Sequence, residues 1–382
     1  MKRSTVLLFI MLIVCPLHPF SQAQARGKAT LQAEPVGLLE TALNGSSTLF
    51  YMDGRLWSCG DHGRLRLYAL DSTTAQTVDS VDLGVTVHDL EEVTLDATHL
   101  YFGDFGNNGS GGFRTDLRIL RLERGRLPQG PFLFDTIAFT YPDWDSAHAA
   151  DYDCEAFVAY GDSLYLFTKQ WKSDASAIYA LPRVPGTYQA TPRGRLEVDG
   201  LVTGACLLPD RRLLALCGYT HLCQPLVYLV YGFDGAAFDQ GSQRRLRLAN
   251  GIGVQTEGIA SADGLHWYLT NEYLSRYGFT NEARLLRLDL TEQLEGYLHP
   301  SEAGMAVPGA DTPRLYPNPT THRVTLPYDD VERVTVVDAS GQSLPCTSAS
   351  SEIDLGELPD GTYIIHVQRH GGLRNAYTVI KQ

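Results

Sequence analysis

One pattern recurs five times in the middle of the chain and constrains everything else. A small or acidic residue precedes an apolar strand, a turn, a second strand with a polar end, and two further strands. The five openings are Ser46–Gly63, Leu90–Asn108, Cys154–Gln170, Val202–Tyr219 and Gln255–Glu272. Alternating apolar and polar residues between Gly-, Asp- and Asn-rich turns read as short strands. Four short strands per unit, repeated in series, predict a β-propeller, because each sheet can bury its faces only against its neighbours. Closing the ring leaves no raw edge. The fifth unit lacks a fourth strand, and Ala29–Glu40 could supply it from the N-terminal side and close the ring. Five blades are expected. Six is the alternative if Ala29–Glu40 belongs to a degenerate unit. The fold class is therefore all-β, a five-bladed (alternatively six-bladed) β-propeller over residues 29–295, followed by a small Ig-like β-sandwich over 313–382.

Composition agrees. Gly 36 and Tyr 20 beside Met 4 suit a turn-rich β protein. A net charge of −13 argues against a nucleic-acid or anionic-membrane partner. Residues 1–25 read as a signal peptide. Lys2 and Arg3 precede the apolar run Val6–Val14, and small residues such as Ala23 and Ala25 offer cleavage sites. The run is too short to span a bilayer, and no later segment is long and apolar enough. An exported, monomeric chain without a transmembrane segment in its mature form is expected. Export permits disulfides, and Cys217 with Cys223 is the candidate pair, flanking one short loop.

Residues 296–312 are rich in Pro, Gly and Ala and read as a linker. Beyond it, the motifs LYPNPT (Leu315–Thr320), VVDASGQ (Val336–Gln342) and LPDGTYIIHV (Leu358–Val367) precede a basic Lys381. Together they resemble the type A C-terminal sorting domain of the type IX secretion system. The resemblance implies contact with that machinery and export across an outer membrane. It also implies removal of the domain, with release or attachment at the cell surface. The repeat region resembles uncharacterised secreted bacterial propellers, through its FGDFGNN turn (Phe102–Asn108) and QTEGI strand (Gln255–Ile259). More distantly it is similar to calcium-activated nucleotidases and phytase-like propellers.

Aligning the inner strands by their first apolar position places Ser47, Glu91, Glu155, Thr203 and Glu257 at equivalent positions, spaced 44, 64, 48 and 54 residues apart. In a propeller these positions face the axis near one mouth. Converging carboxylates repel one another, and a hard divalent ion such as Ca²⁺ would resolve this. The order Ser, Glu, Glu, hydroxyl, Glu is also similar to the calcium ring of the calcium-activated nucleotidases. Polar side chains hydrated in a wet channel are the other reading. The ends of the second strands supply a pocket rim: Asp61, Asp104, Asn107, Lys169, Tyr219, His221, Asn271 and Glu272, with Arg114 and Trp171 near it. No catalytic residue is assigned, since G-x-S-x-G, H-E-x-x-H, Walker A and Rossmann motifs are missing. Three readings stay open. The first is a calcium-stabilised binding module with an unknown ligand at its mouth. The second is a calcium-dependent hydrolase of phosphate or ester substrates, with Lys169 and Arg114 neutralising the anion. The third is a glycosidase using Glu91, Glu155 and Glu257.

Overall fold

A computed structural model describes residues 31–298 except Ser110, Tyr277 and Gly278, and most of 315–382. The expected signal peptide, most of the expected linker and Cys346 lie outside the described residues. The chain divides into two compact units, Met1–Leu298 and His299–Gln382.

The first unit is all-β and built of antiparallel sheets. Its described residues form five sheets in which four antiparallel strands lie side by side. The first sheet comprises Phe50–Met52, Arg55–Ser58, Gly63–Leu70 and Thr77–Val87. The second comprises Leu90–Leu95, His99–Asp104, Arg118–Glu123 and Phe134–Thr140. The third comprises Asp153–Tyr160, Ser163–Lys169, Ser176–Pro182 and Thr191–Leu196. The fourth comprises Leu201–Leu208, Leu213–Tyr219, Pro225–Tyr231 and Ser242–Arg247. The fifth comprises Thr256–Ser261, His266–Asn271, Arg284–Asp289 and Glu34–Leu38. Its outer strand thus comes from the N-terminal side, where Glu34 to Leu38 pair antiparallel with Arg287 to Arg284. A short hairpin of Leu274–Arg276 and Phe279–Asn281 connects its second and third strands.

Five apolar clusters explain why the sheets associate. Leu67, Val81, Val93 and Phe102 pack the first sheet on the second. Tyr101, Phe139, Phe157 and Leu166 join the second to the third. Phe167, Ile178, Val202 and Tyr228 join the third to the fourth. Val227, Leu229, Ile259 and Trp267 join the fourth to the fifth. Leu49, Leu56, Ala260 and Leu285 then join the fifth back to the first. Each sheet therefore hides both faces against neighbours, which two-sided apolar strands require. The inner strands approach closely: a Cβ at Gly258 would lie 2.6 Å from the Leu49 backbone nitrogen.

Two details depart from the sequence reading. Gly186–Gln189 leaves the third repeat and pairs in parallel with Phe134–Thr140, as a fifth strand of the second sheet. Gly296, which the sequence assigns to the start of the linker, lies in the helix Thr291–Leu298, whose Leu294 packs against the fourth and fifth sheets.

The second unit contains a three-stranded sheet (Arg323–Thr325, Glu352–Asp354, Thr347–Ala349) and a four-stranded sheet (Ser343–Leu344, Val331–Val337, Gly361–Arg369, Arg374–Lys381). Val324 and Ile353 of one share a core with Val336, Ile365 and Val379 of the other. No described helix is long and apolar enough to cross a membrane.

Candidate functional site

The starts of the inner strands share one irregularity. Their pairing with the second strand slips between Leu90 and Glu92, between Cys154 and Ala156, between Val202 and Gly204, and between Thr256 and Gly258. The residue left over is Glu91, Glu155, Thr203 or Glu257. In the first sheet the Ser46–Gly60 bridge and the Phe50–Trp57 pair differ by the same one-residue step around Ser47. A bulge turns its extra residue out of the alternation and re-aims the side chain. So the five positions aligned by sequence are also equivalent in backbone geometry. All five are buried.

The three glutamates share a buried electrostatic cluster. Burial first, then Glu155, Asp89 and Asp153, push the Glu91 carboxyl well above the usual carboxylate range. Burial first, then Glu272 and Glu155, do the same to Glu257. Asp153 rises through burial and the adjacent Glu155. Asp89 is pushed up to about 6 by burial and Asp153, and Glu272 to about 7 by burial and Asp61. The turn after the second strand of sheet two closes over this cluster: a Cβ at Gly106 would sit 2.0 Å from Glu91 Oε1. Asn107 N–H donates to Asp153 Oδ1 at 2.9 Å, and Trp171 Nε1 donates to Asp153 Oδ2 at 3.0 Å.

The cation inside the cluster is Lys169. Its Nζ lies 3.1 Å from Glu155 Oε1, donates to Tyr219 OH at 3.0 Å, and sits 4.9 Å and 5.1 Å from the Trp171 and Tyr219 ring centroids. Burial opposes its charge, but Glu155, Tyr219, Glu257 and Asp153 overcome this and hold its pKa well above the usual lysine range. Asn108 Nδ2 donates to the same Glu155 oxygen at 3.2 Å, and Gln255 Nε2 to Tyr219 OH at 3.0 Å.

The expected rim divides. Lys169, Tyr219, Asp104, Asn107 and Asn271 are buried rather than exposed. Asp104 is held below the usual range, because Arg114 and Arg118 outweigh its burial. Arg114 commits its guanidinium to Asp104, Asp116 and the Gly106 carbonyl, so it anchors the turn. Asn271 ties the Glu272 and Glu282 carbonyls. His221 pairs with Asp174 at 2.8 Å and remains exposed, while Asp61 is half-buried and paired with His62. Cys217 and Cys223 are free thiols, not a disulfide. Cys217 is packed among Val227, Ile259 and Trp267, while Cys223 occupies a left-handed turn position beyond the strand.

Sequence reasoning missed Asp89, Asp153 and Gln255. The signal was present, since each lies two residues before Glu91, Glu155 or Glu257. It also missed Glu92, which is fully buried and apart from the cluster. Glu92 accepts from Thr48 Oγ1 beside the first sheet, from Val93 N at 2.9 Å in its own strand, and from Ala205 N at 2.8 Å in the fourth. Burial pushes its carboxyl up to about 8 against these donors.

The donors suit a hard cation chemically: all are oxygens, and Ser47 Oγ is buried without a hydrogen-bond partner. Thr203 Oγ1 is already engaged with the Thr256 carbonyl at 2.5 Å. Among the described residues no three His, Cys, Asp or Glu side chains are drawn around one point as metal ligands.

Comparison with known proteins places residues 314–381 in the secretion system C-terminal sorting domain family. That tail indicates export by the type IX route, to the medium or the cell surface. No curated protein matches the chain significantly. Among solved structures, the chain is similar to an exo-β-1,3-galactanase from Phanerochaete chrysosporium, at 11% identity and TM-score 0.42, covering 92% of this chain and 86% of that one. It is also similar to the PQQ-bound aldose sugar dehydrogenase of Streptomyces coelicolor, at 12% identity and TM-score 0.40, covering 68% of this chain and 98% of that one. A protein of unknown function from Dyadobacter fermentans matches at 11% identity and TM-score 0.38, covering 68% of this chain and 99% of that one.

Proposed function

We propose that the first unit is a closed five-bladed propeller, exported by its Ig-like sorting domain and acting as a binding module at or beyond the cell surface. Its signal peptide and sorting domain are removed on the way. The axial cluster binds Ca²⁺ through Glu91, Glu155 and Glu257, with Ser47 and Thr203 completing the ring. The observation that carries this reading is the charge imbalance. Glu91, Asp153, Glu155 and Glu257 are buried together, with Asp89 and Glu272 beside them, around the ammonium of Lys169. Buried carboxylates either take up protons or take a cation. A divalent ion in this cluster would tie several blades at the axis.

Calorimetric titration of the full-length protein with CaCl₂ tests this. Binding is expected in the wild type and at least a tenfold loss (about 1.4 kcal/mol) in Glu155→Gln. Equal binding by both would remove the ion from this cluster.

Glycoside hydrolysis is the second reading, favoured by one observation. Within one cluster burial pushes Glu91 towards its protonated form, as a general acid needs, and Glu155 is ion-paired with Lys169. Hydrolysis of a phosphate ester is favoured less, because Arg114 is committed elsewhere and carboxylates dominate the pocket.

A further inference from the structure

Beside the axial cluster, two aromatic rings meet solvent at the lip of an apolar cleft. Phe113 lies in the connection between the second and third strands of the second sheet, and Trp144 in the connection onward to the third sheet. They are 57% and 44% exposed, and their ring centroids stand 5.7 Å apart, edge to face. The cleft between them has a volume of about 330 Å³ and is walled by Leu117, Phe139 and Tyr141. Large exposed apolar side chains gathered at a cavity mark a binding site better than scattered ones do. The lip is already fixed. Trp144 Nε1 donates to the Gly112 carbonyl at 3.1 Å, and Gly112 has φ +88°. A Cβ there would lie 2.0 Å from the Ala149 carbonyl oxygen, so glycine lets the two connections pack together. The polar wall is largely spent. Arg114 is committed to Asp104 and Asp116, and Asn107 Oδ1 accepts from Arg114 N–H at 2.7 Å. The hydroxyl-bearing Thr115 and Thr140 stand at the exposed margin. That margin is acidic: Asp143 and Asp145 flank Trp144, Asp116 follows Thr115, and all three are exposed. Lys172, which donates to the Ala147 carbonyl, offsets them only in part.

We propose that this cleft takes an apolar side chain of a polypeptide partner whose neighbouring residues are basic. This rests on the binding-module reading above and names the partner's chemistry. The anchoring side chain fills the cavity and covers the Phe113 and Trp144 rings. Its ammonium- or guanidinium-bearing neighbours face Asp116, Asp143 and Asp145. A sugar ring fits less well, because it carries hydroxyls around its edge and the spent polar wall would leave most of them unpaired. A peptide brings the apolar group inward and keeps its own polar backbone at the exposed margin. A large side chain seated in a preformed pocket, with charges only at the rim, carries much of an interface's affinity.

The test is calorimetry on the full-length protein with three capped peptides: Lys-Gly-Phe-Gly-Lys, Lys-Gly-Ala-Gly-Lys and Glu-Gly-Phe-Gly-Glu. The first is expected to bind at least about tenfold more tightly than the second. It should also bind more tightly than the third at low salt. Phe113→Ser and Trp144→Ala, with thermal melts to establish folding, should each weaken the first peptide by at least about tenfold. Phe113 is exposed enough for its substitution to spare the fold, so it serves if Trp144→Ala does not fold. Equal binding of the Phe and Ala peptides, or binding undiminished in folded Phe113→Ser, overturns this cleft as the anchor site and leaves the binding module standing. Equal binding of the Lys and Glu peptides overturns the basic partner. No binding of any peptide overturns the inference. If the protein also cleaves a 4-nitrophenyl β-glycoside, the binding-module reading falls with it.

Discussion

Glu91 and Glu92 are neighbours in sequence and both are buried, yet they meet different partners. The bulge separates them. Glu92 is met by a hydroxyl and two backbone N–H groups from three repeats, which oppose its desolvation only in part, since burial still pushes it up to about 8. Glu91 is met by further carboxylates, with Lys169 as the counter-charge. A buried acid with fixed donors holds a fold together, whereas a buried acid among acids is suited to holding something else.

Four changes would break or sharpen that contrast. The largest effect is expected from Glu92→Ala, which strips the Ala205 N–H of its acceptor and loosens three sheets. It should lower stability by about 3 kcal/mol in urea unfolding, with little change in calcium affinity. Next comes pH. Asp89, Glu272 and Glu92, with folded-state values of about 6, 7 and 8, stand above their ordinary values. A raised carboxyl stabilises the fold while it keeps its proton, so stability should be full below about pH 4 and fall as pH rises to about 8. Urea midpoints at pH 5 and pH 8 measure this, and saturating Ca²⁺ should shrink the difference. Third, Glu91→Gln removes the cost of burying an ionisable carboxyl among acids and should raise metal-free stability at pH 7.5 by about 1 kcal/mol, the opposite sign to Glu92→Ala. The smallest effect is expected from reductant. With Cys217 and Cys223 as free thiols, dithiothreitol should move the melting temperature by less than about 1 °C, whereas a disulfide would contribute about 2–4 kcal/mol.

Much of the all-β architecture is legible in the amino acids alone. The repeat marks the starts of all five inner strands, because strand alternation and turn residues are local properties. Ser47, Glu91, Glu155, Thr203 and Glu257 align because a bulge keeps its place in each repeat. Position along a strand says little about depth, however. Lys169 and Tyr219 read as rim because strand ends usually meet solvent, and here neighbouring sheets cover them. Cys217 and Cys223 look pairable because they are close in sequence, but strand alternation sends the Cys217 side chain into the interface with the fifth sheet. Glu92 stays hidden for a different reason: its partners Thr48 and Ala205 are 44 and 113 residues away.

The strand Glu34–Leu38 completes the fifth sheet by pairing with Arg284–Arg287. In time rather than space, the segment made first waits for a partner synthesised 253 residues later, as the Glu34–Arg287 pair shows. Until then the fifth sheet has no outer strand. The reading order of the chain thus makes this sheet the last to gain its full set of strands.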